Sequence, residues 1–154
     1  MFWIDHVGVV ASDLNASIEF YRKLFGDPID RVEWRGEHAA QVARLMGRPE
    51  GLELDAVFFR IPQTDAIFEL VHFRNTEQGV VEGSNVDVGA THIGLFVENI
   101  DEVVERLGLE TAGAPMELPI GPYRGGRSVY LKDPNGANLQ LMEVTRRPGG
   151  LPLP

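Results

Sequence analysis

A chain of 154 residues with 44% apolar side chains can bury one continuous core and is short for two independent domains. Acids outnumber bases 23 to 14 for a formal charge of −9, so the attraction that phosphate backbones exert on basic proteins is missing and nucleic acid is excluded as an expected partner. The chain has no cysteine, which rules out disulfides and thiolate metal sites and leaves imidazole, carboxylate and amide oxygen to hold any transition metal.

Met1-Phe2-Trp3-Ile4-Asp5 carries no basic leader, and no stretch approaches the ~20 apolar residues needed to cross a bilayer. The expectation is a soluble cytoplasmic protein that is unprocessed and has no membrane contact. Trp3 to Ala11 is rich in β-branched residues and reads as a strand. Ser12 and Asp13 are both able to cap a helix, and Leu14, Ile18, Tyr21 and Phe25 then recur at helical spacing until Gly26 and Pro28. Glu33 to Arg44 is ambiguous: Val32 and Trp34 alternate like a strand, while Ala39 to Met46 fits a helical turn before Gly47 and Pro49. Leu54 to Ile61 and Ala66 to Phe73 are short apolar runs on either side of Pro62-Gln63-Thr64-Asp65, the chemistry of a hairpin turn. Arg74 to Gly89 is polar and contains glycine, as expected of a connection.

The pattern then starts again. Thr91-His92-Ile93-Gly94 aligns with Asp5-His6-Val7-Gly8. Asn99 caps a second helix carrying Ile100, Val103, Val104 and Leu107, with Glu102 at capping-box spacing and Gly108 as the stop. A stretch rich in proline and glycine, 112–126, leads to a second hairpin, Ser128 to Lys132 and Asn138 to Val144, around Asp133-Pro134-Asn135-Gly136. Each half is strand, helix, then strands. The tail, 146–154, has too little apolar content to pack and is expected to be flexible.

Chemistry enters through the histidines that open equivalent strands. Each half pairs one with an oxygen donor on its closing strand: His6 with Glu69, and His92 with Gln140 or Glu143. Strand alternation puts His6 on a face with Gly8 and His92 on a face with Gly94, so each imidazole has room beside it. Glu143 lies three residues from Gln140 and hence on the opposite face, so register favours Gln140. Glu69 sits inside Ile67-Phe68-Glu69-Leu70-Val71, where a carboxylate needs a partner to offset desolvation, unless it faces water from an edge strand. His38 and His72 read as exposed. Gly121-Pro122-Tyr123-Arg124-Gly125-Gly126-Arg127 lacks the Lys-Ser/Thr ending of a phosphate-binding loop, but Arg124 and Arg127 are candidates to anchor a substrate carboxylate or phosphate.

These stretches, together with Asp13-Leu14, Phe20-Tyr21…Leu24-Phe25-Gly26, Phe68-Glu69-Leu70 and Leu139-Gln140-Leu141, resemble the vicinal oxygen chelate superfamily over nearly the whole length. The branches most similar are single-domain glyoxalase I and methylmalonyl-CoA epimerase. The resemblance implies an α+β fold of two tandem βαβββ modules forming a curved, partly closed mixed sheet around a metal cup. It implies one domain over 1–145, with repeats near 3–75 and 90–145. It also implies a divalent metal (Ni, Co, Zn, Mn or Fe) held by His6, Glu69, His92 and Gln140, although most relatives carry Glu at the last position.

The implied activity is that of a lyase or isomerase. Its substrate, a small molecule chelated through adjacent oxygens, undergoes enediolate-type proton transfer with Glu69 as catalytic base. Tyr130 stands where ring-cleaving dioxygenases of the superfamily carry a catalytic Tyr, and reads as core or as a pocket wall that touches substrate. The alternatives are a non-haem iron ring-cleaving dioxygenase, or a non-catalytic antibiotic-binding protein. Related proteins generally form homodimers.

Overall fold

The computed structural model describes residues 4–48, 51–81 and 84–145; Trp3 and the tail 146–154 lie outside the described residues. The chain divides into two compact units, Met1–Val81 and Glu82–Pro154.

The first unit runs β1 (His6–Val10), α1 (Leu14–Phe25), β2 (Asp30–Trp34), α2 (Gly36–Leu45), β3 (Leu54–Arg60) and β4 (Ile67–Phe73). Its strands lie in the order β1-β4-β3-β2, with β1 parallel to β4 and the other pairs antiparallel. Of the two candidate caps it is Asp13 that opens α1, accepting the Ala16 N–H at 3.0 Å, and Gly26 closes the helix at φ 84°. The helix buries Leu14, Ser17 and Tyr21. Tyr21 packs against Phe68 with the rings tilted and their centroids 4.1 Å apart, and Phe59, Phe68 and Leu70 beneath it have no exposed surface. Each such side chain contributes about 1.5–3 kcal/mol by leaving water, which fixes the register of the sheet. The ambiguous stretch resolves into a strand followed by a helix: β2 ends at Trp34, and α2 buries Ala39 and Ala43.

The second unit runs β5 (His92–Phe96), α3 (Ile100–Leu107), β6 (Met116–Glu117), β7 (Arg127–Lys132) and β8 (Asn138–Glu143), in the sheet order β5-β8-β7-β6 with β5 parallel to β8. Asn99 caps α3 by accepting from Glu102 N–H at 3.1 Å, and Gly108 ends it in the left-handed conformation. The Asp133-Pro134-Asn135-Gly136 turn is organised by the buried Asp133 carboxylate, whose Oδ1 accepts from the backbone N–H groups of Asn135 and Ala137, both at 2.8 Å.

The architecture is therefore α+β with two βαβββ modules, as the sequence implies, α2 being an insertion in the first. The expected sheet takes the form of two open four-stranded mixed sheets, one per unit. In each, the helix covers one face and the histidine-bearing face lies opposite.

Candidate metal centre

In the first unit β4 is an internal strand, so Glu69 is not on an edge. Parallel pairing sets Glu69 opposite Gly8 and places its carboxylate on the face of His6, away from the buried Phe68 and Leu70. His6 Nε2 and Glu69 Oε2 are 3.8 Å apart. That lies inside the ~4.2 Å that two metal bonds of about 2.1 Å can span. Gly8 makes this approach possible, because a Cβ there would sit 3.3 Å from Glu69 Oε2. Asp5 Oδ2 contacts His6 Nδ1 at 2.8 Å, which orients the ring with Nε2 toward Glu69. The hydrogen bond to Asp5 raises the imidazole pKa above its ordinary value, slight burial opposes, and the charges of Glu69 and Asp5 add to the rise.

The second unit repeats the arrangement with different chemistry. Gly94 pairs with Gln140, and His92 shares their face. Gln140 Nε2 donates to Ser128 Oγ at 2.8 Å, so its Oε1 remains as an acceptor. Tyr130, opposite Gln140 on β7, meets the His92 ring edge-on at 5.6 Å between centroids. His92, Gly94 and Gln140 contribute to the lining of a cleft of about 360 Å³, whereas Tyr130 does not line it. Glu143 is engaged elsewhere: its Oε2 accepts the Ile100 N–H at 3.0 Å, an amide at the start of α3 with no partner inside the helix.

Arg127 Nη1 pairs with Asp101 at 2.8 Å and Glu143 at 3.4 Å, three positions from Tyr130 and so on the other face of β7. Arg124 is exposed on the preceding loop, and neither arginine lines the cleft. His38 is exposed as expected. His72 is not: it is half-buried, with Nδ1 2.9 Å from the Ala11 carbonyl oxygen. Among the described residues no group of three or more His, Cys, Asp or Glu side chains is placed to hold a cation; each unit contributes a pair, one imidazole and one oxygen donor. Sequence reasoning missed Asp5 and Ser128. Asp5 was open to detection as a carboxylate adjacent to a ligand-type histidine, but Ser128 is brought to Gln140 only by the pairing of β7 with β8.

The chain is 25% identical over 154 residues to a 2-epi-5-epi-valiolone epimerase of Actinomyces sp, covering 97% of this chain and 81% of that protein. It is 27% identical over 140 residues to a lactoylglutathione lyase of Escherichia coli O157:H7, covering 90% of each. In fold it is similar to a glyoxalase family protein from Bacillus cereus (TM-score 0.72, 22% identity, 92% of this chain and 93% of that one). It is also similar in fold to a Glu-to-Gln mutant of FosX, a fosfomycin resistance protein from Listeria monocytogenes, complexed with Mn(II) and 1S,2S-dihydroxypropylphosphonic acid (TM-score 0.58, 15% identity, 94% of this chain and 92% of that one). No helix among the described residues is long and apolar enough to cross a membrane. With residues 3–141 matching its family model, the chain belongs to the Glyoxalase/Bleomycin resistance protein/Dioxygenase superfamily.

Proposed function

We propose that the protein is a divalent-metal-dependent lyase or isomerase in which His6, Glu69, His92 and Gln140 hold the cation and Glu69 also moves the proton. The observation that carries the reading is the repetition: in both units a histidine and an oxygen donor share a face on adjacent parallel strands, with glycine directly opposite the donor. The names lyase and epimerase among the relatives, and the Mn(II) of the Listeria protein, support the same class. A divalent ion held by the imidazoles of His6 and His92, the Glu69 carboxylate and the Gln140 amide would keep net positive charge and would supply Lewis-acid polarisation of substrate oxygen.

The chain's own groups do the rest. Asp5 fixes the His6 ring through Nδ1. Gly8 leaves the Glu69 carboxylate space to shift, so that it takes the proton from the carbon beside the polarised carbonyl and returns it to the neighbouring position. Ser128 holds the Gln140 amide through its Nε2, which leaves Oε1 as the donor atom for the cation. Tyr130 packs edge-on against His92 and steadies its ring.

The test is a Glu69→Gln variant. Elemental analysis of protein purified without added metal should find about one divalent ion per chain in the parent, less in His6→Ala and His92→Ala, and retained metal in Glu69→Gln. Exchange of the α-proton of lactoylglutathione and simple α-hydroxyketones into D2O, followed by NMR, should fall at least about a hundredfold in Glu69→Gln. Full exchange in that variant would remove Glu69 as base. Iron in the parent with oxygen uptake on catechol would instead support ring cleavage. Light scattering at micromolar concentration should give about twice the 17.1 kDa chain mass for the proposed homodimer.

A further inference from the structure

The second unit holds a feature that the ligand set does not use. Beyond His92, Gly94 and Gln140, the 360 Å³ cleft is lined by Phe96, Leu118, Ile120, Pro122, Tyr123 and Met142. Phe96 and Tyr123 meet edge to face, centroids 6.0 Å apart. Among the described residues no Asp, Glu, Lys or Arg lines the cleft: Arg124, next to Tyr123 in sequence, is exposed on the loop and outside the lining, and Arg127 is committed to Asp101 and Glu143. A substrate arm bearing a phosphate or carboxylate finds no counter-charge among these lining side chains and would lose hydration against them without compensation.

The wall is built rather than loose. Leu118 N–H donates to the Gly126 carbonyl at 2.8 Å, Gly125 N–H to the Leu118 carbonyl at 2.9 Å and Gly126 N–H to the Tyr123 carbonyl at 3.0 Å, closing 118–126 on itself. The loop seats against β8 only because residue 126 has no side chain: a Cβ would lie 2.6 Å from the Glu143 carbonyl oxygen. The apolar side chains are thereby held against the end of β5 and β8, with Ile120 81% exposed at the rim. An apolar rim side chain held open beside two donor residues fits a small ligand that covers it on binding.

We propose that this cleft is a specificity pocket for an uncharged apolar or aromatic arm of the substrate, with Phe96 and Tyr123 as the determining side chains. The inference rests on the metal reading for the fate of the chelating end of that substrate, but not for the pocket itself. An arm of one aromatic ring fits the volume, and its burial among these side chains is the source of discrimination.

The test uses three chelators with adjacent oxygens, titrated calorimetrically into protein loaded with Ni(II): acetohydroxamate, benzohydroxamate and phosphonoformate. Benzohydroxamate should bind at least about tenfold more tightly than either of the others. Phe96→Ala and Tyr123→Ala should each bring its advantage over acetohydroxamate to within about threefold, and Tyr123→Phe should keep it. Ile120→Lys, at an exposed position that folding does not depend on, should weaken benzohydroxamate and strengthen phosphonoformate. Independently of metal, benzamide added to metal-free protein should shift the backbone amide signals of Phe96, Leu118, Tyr123 and Met142. If no hydroxamate binds but benzamide shifts those signals, the metal reading fails and the pocket stands. Equal affinity for the two hydroxamates, preference for phosphonoformate, or benzamide shifts confined to other residues would overturn the pocket.

Discussion

The Asp55 carboxylate is 1% exposed on β3, and three guanidinium contacts compensate its burial. Arg74 donates through Nε at 2.9 Å and Nη2 at 2.6 Å, Arg35 donates through Nη2 to Oδ1, and Arg31 Nη2 stands 3.7 Å away. Arg35 also donates to the carbonyl oxygens of Trp34 and Leu54, both at 2.8 Å, so the acid links the end of β2, the start of α2, β3 and the residue after β4. Asp55→Asn keeps the shape and removes the charge. Each charge-assisted bond to a buried group is worth about 1.5–3 kcal/mol, but the side chains of Arg35 and Arg74 are 31% and 46% exposed and turn to water when the acid is gone. The net cost is therefore about 2–3 kcal/mol at pH 7, below the full penalty for breaking a wholly buried pair.

Urea unfolding followed by tryptophan fluorescence measures this in the right place, since Trp34 ends β2 next to Arg35. Burial alone would raise the Asp55 carboxyl pKa, but the hydrogen bonds and charges of Arg74 and Arg35 outweigh it and hold the value below the ordinary 3.8. A depressed carboxyl contributes its stability in full above its unfolded value and loses it as pH falls through the folded one. The gap between parent and Asp55→Asn should thus be constant above about pH 5 and narrow below about pH 4. A gap under about 0.5 kcal/mol at pH 7, or one that does not change on acidification, would refute the reasoning.

Three further outcomes are expected. Gly8→Ala puts a methyl group 3.3 Å from Glu69 Oε2; the carboxylate must give way, so calorimetric affinity for a divalent ion should drop about tenfold while the circular dichroism spectrum is kept. Glu143→Ala strips the first α3 amide of its acceptor and Arg127 of one partner, and should cost about 1–2 kcal/mol in urea unfolding, much of it restored by Glu143→Gln. In metal-free protein, Asp5→Asn should move the NMR titration of the His6 ring down toward its ordinary 6.5. With Asp5 present, the contribution of this raised group to stability is whole below pH 6.5 and fades as pH rises through the folded value, and the variant should flatten that slope. An unshifted His6 titration would remove Asp5 as the orienting partner.

What the amino-acid order determined by itself was local and periodic. Alternation set which side chains share a strand face, so His6 with Gly8 and His92 with Gly94 were legible, as were the Asn99 cap and the Asp133-Pro134-Asn135-Gly136 turn, because each depends on residues a few positions apart. The internal duplication was legible for the same reason: it is a comparison of the chain with itself. Pairing between distant strands was not. Only tertiary structure set Glu69 opposite Gly8 on an internal strand, gave Ser128 to the Gln140 amide, and assigned Glu143 to the start of α3 across 43 positions. It also turned His72 inward to the Ala11 carbonyl and drew three arginines around Asp55. Electrostatic and steric partners of this kind are chosen by proximity in space, and a buried polar group must find its partner wherever the folded backbone brings one, which no local pattern encodes.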